Sequence, residues 1–205
     1  RVTDLTTQNL TDALAKIKGE NFDTLFVADQ LADTAIAVIK AFLEENFRLK
    51  YPAGFVAGIN RQNATAYVAT AEAVGEFCYG LIRQLFTVNN TELSLVDSAA
   101  YYVGLIAGLN VSSSMTMKTV AGVTGVNPEL TFETGDEGLV CMQNGITVLK
   151  CQDRINNRYV VVNSEQPNGY DLYINRVRDY VVKEFALHEF LGSRNRQSSL
   201  NEIIQ

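Results

Sequence analysis

The sequence predicts an α/β fold that turns α+β in its second half: helices packed on a mixed sheet, βαβ units first, then a hairpin and a long C-terminal helix. Three observations predict it. From residue 22 to residue 109 short apolar runs alternate with segments of helical period, the pattern of parallel βαβ units. Further on, two β-type runs flank the turn residues Asn156-Asn157, as in a hairpin. The last long segment, 169–192, places Ile174, Val177, Val181 and Phe185 at helical spacing.

The elements follow in order. "LTDALAKIKG" reads as a short helix stopped by Gly19. "FDTLFVAD" (22–29) is a short run of β-type residues, a buried strand. Residues 31–50 carry Ile36, Ile39, Leu43 and Phe47 at helical spacing, with Asp29 or Asp33 as cap and Pro52 past the end. "AGFVAGIN" (53–60) reads as a second buried strand and 63–75 as an Ala-rich helix. The stretch 76–88 stays open between helix and strand, with a strand at its start or end. Residues 93–109 form a helix whose stripe is Leu95, Ala99, Tyr102, Ile106 and Leu109. Residues 113–123 alternate and predict a strand, and "GVNPELTF" a turn or loop. A short helix over 134–145 closed by Gly145, strands over 146–155 and 157–165, and the helix 169–192 ended by Gly192 complete the chain.

Composition limits function. With 47% hydrophobic residues the chain can build a sizeable core, and its net charge of −6 lacks the broad basic surface that nucleic acid requires. The longest apolar stretches are too short and too rich in Gly and Ala to span a bilayer. The chain opens at Arg1, as a processed protein or a fragment would, and no signal peptide is visible. Cys78, Cys141 and Cys151 lack CxxC spacing and read as free thiols of a reducing compartment. The Asn-x-Ser/Thr triplets at Asn9, Asn63, Asn89 and Asn110 then read as chance.

The stretch "GLNVSSSMTMKTVAGV" (108–123) poses the sharpest chemical question: nucleophile loop, phosphate loop or strand entry. A Ser-His-Asp triad built on Ser113 would need His188, the single histidine, and no G-x-S-x-G elbow is present. Neither a P-loop nor a dinucleotide fingerprint follows a strand, and "TGDEG" would set two acids against a phosphate. Asp136/Glu137 and Glu44/Glu45 are adjacent in sequence, so they do not face each other on a helix. No spacing suggests a metal or a cofactor. No catalytic, cofactor-binding or metal residue is assigned, and the chain is not expected to be an enzyme.

Read in order, several segments resemble the contractile phage tail sheath family. They are "DTLFVAD", "AGFVAGIN", "DSAAYYVGLIAGLNVSSSMTMKTVAGV", "DEGLVCMQNGITVLKCQDRINN" and "YINRVRDYVVKEFALHEFLGSRNRQ", spanning roughly residues 22–195. Sheath relatives often carry "GKV" after the last helix, where this chain has Gly192-Ser193-Arg194. The resemblance implies a single core domain over 1–192 with 193–205 as the start of a C-terminal arm. It implies a structural subunit of a contractile tail sheath that polymerises around an inner tube and contracts to drive injection. The implied partners are the chain itself in hexameric rings stacked helically, the inner tail tube protein and the baseplate, with no nucleic acid and no membrane. The implied location is the virion, after assembly in the bacterial host cytoplasm. It also makes Ser112–Ser114 a helix-to-strand junction, with Lys118 on the exposed strand face.

Within the last helix Arg176, Asp179 and Lys183 fall three and four apart and share one face, opposite the apolar stripe. They are the candidate contacts to the tube or to a neighbouring subunit, with Arg176 and Lys183 outward and Ile174, Val177, Val181 and Phe185 buried. The competing expectation is a Rossmann-like ligand-binding domain or an enzyme without a recognisable motif. The strand-helix-strand start favours it; the absent glycine fingerprint and the hairpin oppose it.

Overall fold

The computed structural model describes residues 6–30, 33–59 and 64–186. The first half is built on β1 (Thr24–Gln30), β2 (Gly54–Gly58) and β3 (Cys78–Ile82), a parallel sheet in the order β1-β2-β3. The connections are α2 (Asp33–Arg48) and α3 (Ala64–Val74), and α1 (Thr7–Lys16) precedes them. Thr6 caps α1 by accepting from the Asn9 N–H, satisfying an otherwise orphaned donor. Every residue of β2 and β3 is buried, which explains why these strands read as continuous apolar runs rather than alternating ones.

Period two then sorts the core into layers. Phe55 and Ala57 face Ile36, Ile39 and Leu43 of α2, while Val56 faces Ala99, Tyr102 and Ile106 of α4 (Leu95–Ala107). All five positions expected to be buried on the two long helices (Ile36, Ile39, Leu43, Ala99 and Ile106) are buried. Gly80 makes the second layer possible, since a Cβ there would lie 2.5 Å from the Tyr102 ring.

The second half is smaller. β4 (Leu85–Val88), β5 (Thr91–Glu92) and β6 (Val123–Asn127) form an antiparallel sheet in the order β5-β4-β6. The short α5 (Glu137–Gln143) leads into the hairpin of β7 (Leu149–Asp153) and β8 (Arg158–Val161). The hairpin joins the first half through a parallel bridge from Ile82 to Thr147. A last helix, α6, covers 172–186.

One open reading is settled and two expectations are corrected. Residues 76–88 hold two strands, β3 and β4, which belong to different sheets on either side of Arg83-Gln84. The segment 113–123 is a series of turns beside β8 with one bridge, Thr119 to Val160. Its hydroxyls take the backbone donors a strand ladder would use: Ser114 Oγ accepts from the Thr116 N–H, and Thr116 Oγ1 from the Ser164 N–H. Lys118 therefore sits half-buried in a turn rather than on a strand face. The expected loop over 125–132 begins as β6, and the strand turns there only at its cis Asn127-Pro128 bond.

Leu43 is fully buried between α2 and the sheet. Leu43→Ala is expected to cost about 2–5 kcal/mol in a urea melt. A loss under about 0.5 kcal/mol, the range of exposed sites, would contradict this packing. Gly80→Ala is expected to destabilise by about 1–3 kcal/mol, the range of overpacked cores, because the Tyr102 ring has no room to retreat. A melt indistinguishable from the parent would refute that close approach.

Candidate functional site

The polar side chains singled out in the sequence gather under α6. Its N-terminus is prepared by Asp171, whose Oδ1 accepts from the Tyr173 N–H at 3.0 Å. Asp171 Oδ2 accepts from Ser114 Oγ at 2.8 Å, Ser164 Oγ at 2.7 Å and, more weakly, Thr116 Oγ1 at 3.3 Å. This answers the question of the serine stretch. Ser114 and Thr116 spend their hydroxyls on a helix cap and on the Ser164 backbone, while Ser113 lies in a turn bonded to the Asn110 carbonyl. No imidazole is among the described residues, and His188 lies outside them.

The underside of α6 is polar and tied to the body. Asp179, 3% exposed, accepts from the Tyr79 hydroxyl at 2.6 Å and from Arg178 Nε at 2.8 Å. Arg178 also lies over the rings of Phe47 and Phe77, at 5.4 and 6.0 Å. Arg176 donates to the Leu109 and Asn110 carbonyls just beyond α4. Lys183 donates to the Phe22 carbonyl at 2.7 Å and pairs with Asp23 at 2.6 Å. Arg176, Asp179 and Lys183 line one small cleft with Tyr79, Tyr180, Val111 and Asp23. Burial, then the Asp179 carboxylate beside it, pushes the Tyr79 hydroxyl well above its ordinary pKa.

The structure thus brings the three candidate residues together on one face, and that face is turned inward. The expected apolar stripe is the outward one: Ile174, Val181 and Phe185 are 40, 39 and 68% exposed, and Val177 is only half-buried. The inward positions are instead Leu172, Asn175 and Asp179. The reason is a matter of partners. The body presents the Tyr79 hydroxyl, the Phe22 carbonyl and the carbonyls after α4, which must find donors or acceptors when covered. Nothing in the sequence marks Tyr79 as functional, because it reads as an ordinary aromatic of a buried strand. The spacing of Asn175, Asp179 and Lys183, a second stripe on the same helix, was the available signal.

Among the described residues no three His, Cys, Asp or Glu side chains gather as a metal site, and no helix is long and apolar enough to cross a membrane. Cys78, Cys141 and Cys151 are free, the first two buried.

No protein-family model and no curated protein matches the chain. Solved structures do. A sheath tail protein from Desulfitobacterium hafniense superposes with a TM-score of 0.73 at 18% identity, over 98% of this chain and 50% of its own. A sheath tail protein from Listeria innocua gives 0.67 at 19% identity, over 89% of this chain and 41% of its own. The chain has the fold of sheath tail proteins. It spans about half the length of the solved sheath tail proteins it matches. The helices on a mixed sheet expected from sequence are part of that shared fold.

Two outcomes test the α6 anchorage. Asp179→Ala leaves the Tyr79 hydroxyl and the Arg178 Nε without their acceptor, while the rest of the guanidinium keeps Glu76. A cost of about 2–3 kcal/mol is expected in a urea melt, below the roughly 3–5 of a fully buried pair because Arg178 reaches water; an unchanged midpoint would show that α6 does not depend on this contact. The second is alkaline lability. The raised pKa values of Tyr79 and of the buried Tyr102 favour the protonated ring in the folded state. Their contribution is intact below the unfolded tyrosine value of about 10 and is lost as pH rises above it. Urea midpoints measured from neutral to strongly alkaline pH should fall beyond that value, and a flat profile would contradict the burial of both hydroxyls.

Proposed function

We propose that the chain is part of a structural subunit of a contractile tail sheath, one that polymerises around an inner tube and contracts to drive injection. The observation that carries this reading is the fold likeness to two sheath tail proteins over nearly the whole chain. The side chains support a structural role. The Ser114–Thr116–Ser164–Asp171 group serves a helix cap, and the Asp179–Tyr79–Arg178 group serves a helix dock. In this reading the protein is not an enzyme. Its partners are further copies of itself in stacked hexameric rings, the inner tube and the baseplate, and it resides in the tail after assembly in the host cytoplasm. Arg176, Asp179 and Lys183 contribute to such contacts by holding α6 in place, so that α6 meets the tube or a neighbour through its outer face.

Immunogold electron microscopy with antibodies against this chain tests the proposal on intact particles. Gold spaced along the tail shaft is the expected result. Label confined to capsids, or to protein that never joins a particle, would overturn it.

A further inference from the structure

We propose that α6 is a strap. From Tyr173 onward it swings off the body and closes again as a unit while the parallel sheet stays folded, and ionic strength sets how often it opens. This holds whether or not the chain belongs to a sheath, because it rests only on how α6 is attached.

The attachment is uneven along the helix. Its first residue, Leu172, is fully buried and shares a core cluster with Tyr102 and Ile106. The Leu172 N–H donates to the Ser164 carbonyl at 2.9 Å, and Asp171 before it is held by the Ser114 and Ser164 hydroxyls. That end is the pivot. Beyond it, among the described residues, no apolar side chain of α6 is buried; the buried ones are Asn175 and Asp179. α2, by contrast, buries Ile36, Ile39, Phe42 and Leu43. Lifting α2 returns large buried apolar side chains to water, whereas swinging α6 about Leu172 returns none that is fully buried.

The remaining contacts are polar. Asp179 holds the Tyr79 hydroxyl and Arg178, and Arg178 reaches Glu76. Arg176 meets the carbonyls after α4, and Lys183 meets Asp23 and the Phe22 carbonyl. On opening, each of these groups exchanges its partner for water, so opening costs less than unfolding the core. Linked polar contacts fit in one register, so the dock is made or broken as a whole. Closed, α6 covers the Tyr79 hydroxyl; open, it bares that hydroxyl and the cleft around it.

Charge makes this dock sensitive to salt. Asp23 is 88% exposed beside Lys183, and Glu76 is 59% exposed beside Arg178. Mobile ions screen such pairs. The layers under α2 and α4 rest on apolar burial, which screening does not touch.

Hydrogen exchange followed by mass spectrometry on the full chain tests the strap, comparing the amides of 176–186 with those of β2 and β3. Leu43→Ala weakens the body and leaves the contacts of α6 in place. It should speed exchange in β2 and β3 about thirtyfold or more and leave 176–186 within about twofold of the parent, because a local opening does not break the core. Asp179→Ala should speed 176–186 about thirtyfold or more. Raising sodium chloride from about 50 mM to about 1 M should speed 176–186 several-fold relative to β2 and β3. Exchange at 176–186 that rises together with β2 and β3 in Leu43→Ala would show that α6 leaves only when the whole molecule unfolds, and would overturn the proposal. Rates at 176–186 that ignore salt, or that match the parent in Asp179→Ala, would overturn it equally.

Discussion

Gln84 joins the two halves of the molecule. It is fully buried, between the end of β3 and the start of β4. Its amide treats a neighbouring segment as a strand would: Oε1 accepts from the Leu149 N–H at 2.7 Å, and Nε2 donates to the Leu149 carbonyl at 3.2 Å and the Pro128 carbonyl at 2.9 Å. The carboxamide's acceptor and donors are thus matched to backbone groups at the start of β7 and just after β6. Buried backbone groups must be paired, and here one side chain pairs three. The chain can therefore leave the parallel sheet, open a second sheet and still keep the hairpin in register beside β3. Gly145, in the left-handed region at φ 70°, turns the chain out of α5 towards that hairpin, and a Cβ there would collide with the Gln166–Pro167 backbone at 2.3 Å.

The two halves also differ in how helices are attached. α2 and α4 are held by apolar burial on opposite faces of one sheet, the ordinary solution for a βαβ layer. α6 is held by hydrogen bonds and ion pairs to Tyr79, the chain after α4 and the loop before β1. An apolar dock tolerates small slips, whereas a hydrogen-bonded dock is satisfied in one register only. α6 is thereby fixed in rotation as well as in position, and its apolar side is fixed facing outward.

How far the sequence was legible follows from these differences. β1, β2, α2, α3 and α4 were legible within a few residues because their apolar period and caps agree with their final environment. The same agreement placed Leu43 and Ile106 in the core. Residues 113–123 were not legible as turns, because the alternation that predicts a strand arises from hydroxyls that fold back on Asp171 and Ser164. The helix at α6 was legible, and the shared face of Arg176, Asp179 and Lys183 with it. Its orientation was not. The expectation that the apolar stripe faces the body holds for a helix on an apolar layer, and it fails where the body offers polar groups that only side chains from the helix can satisfy.

The outward side of α6 exposes Ile174, Val181 and Phe185, with the half-buried Glu184 next to Phe185 in the chain. Fixing that face by polar bonds from beneath keeps it pre-organised, so a partner does not bear the entropy of ordering it. The same bonds tie Arg176, Asp179 and Lys183 to the body of the molecule. Arg176, Asp179 and Lys183 anchor the helix, and Ile174, Val181 and Phe185, expected in the core, lie on its exposed side.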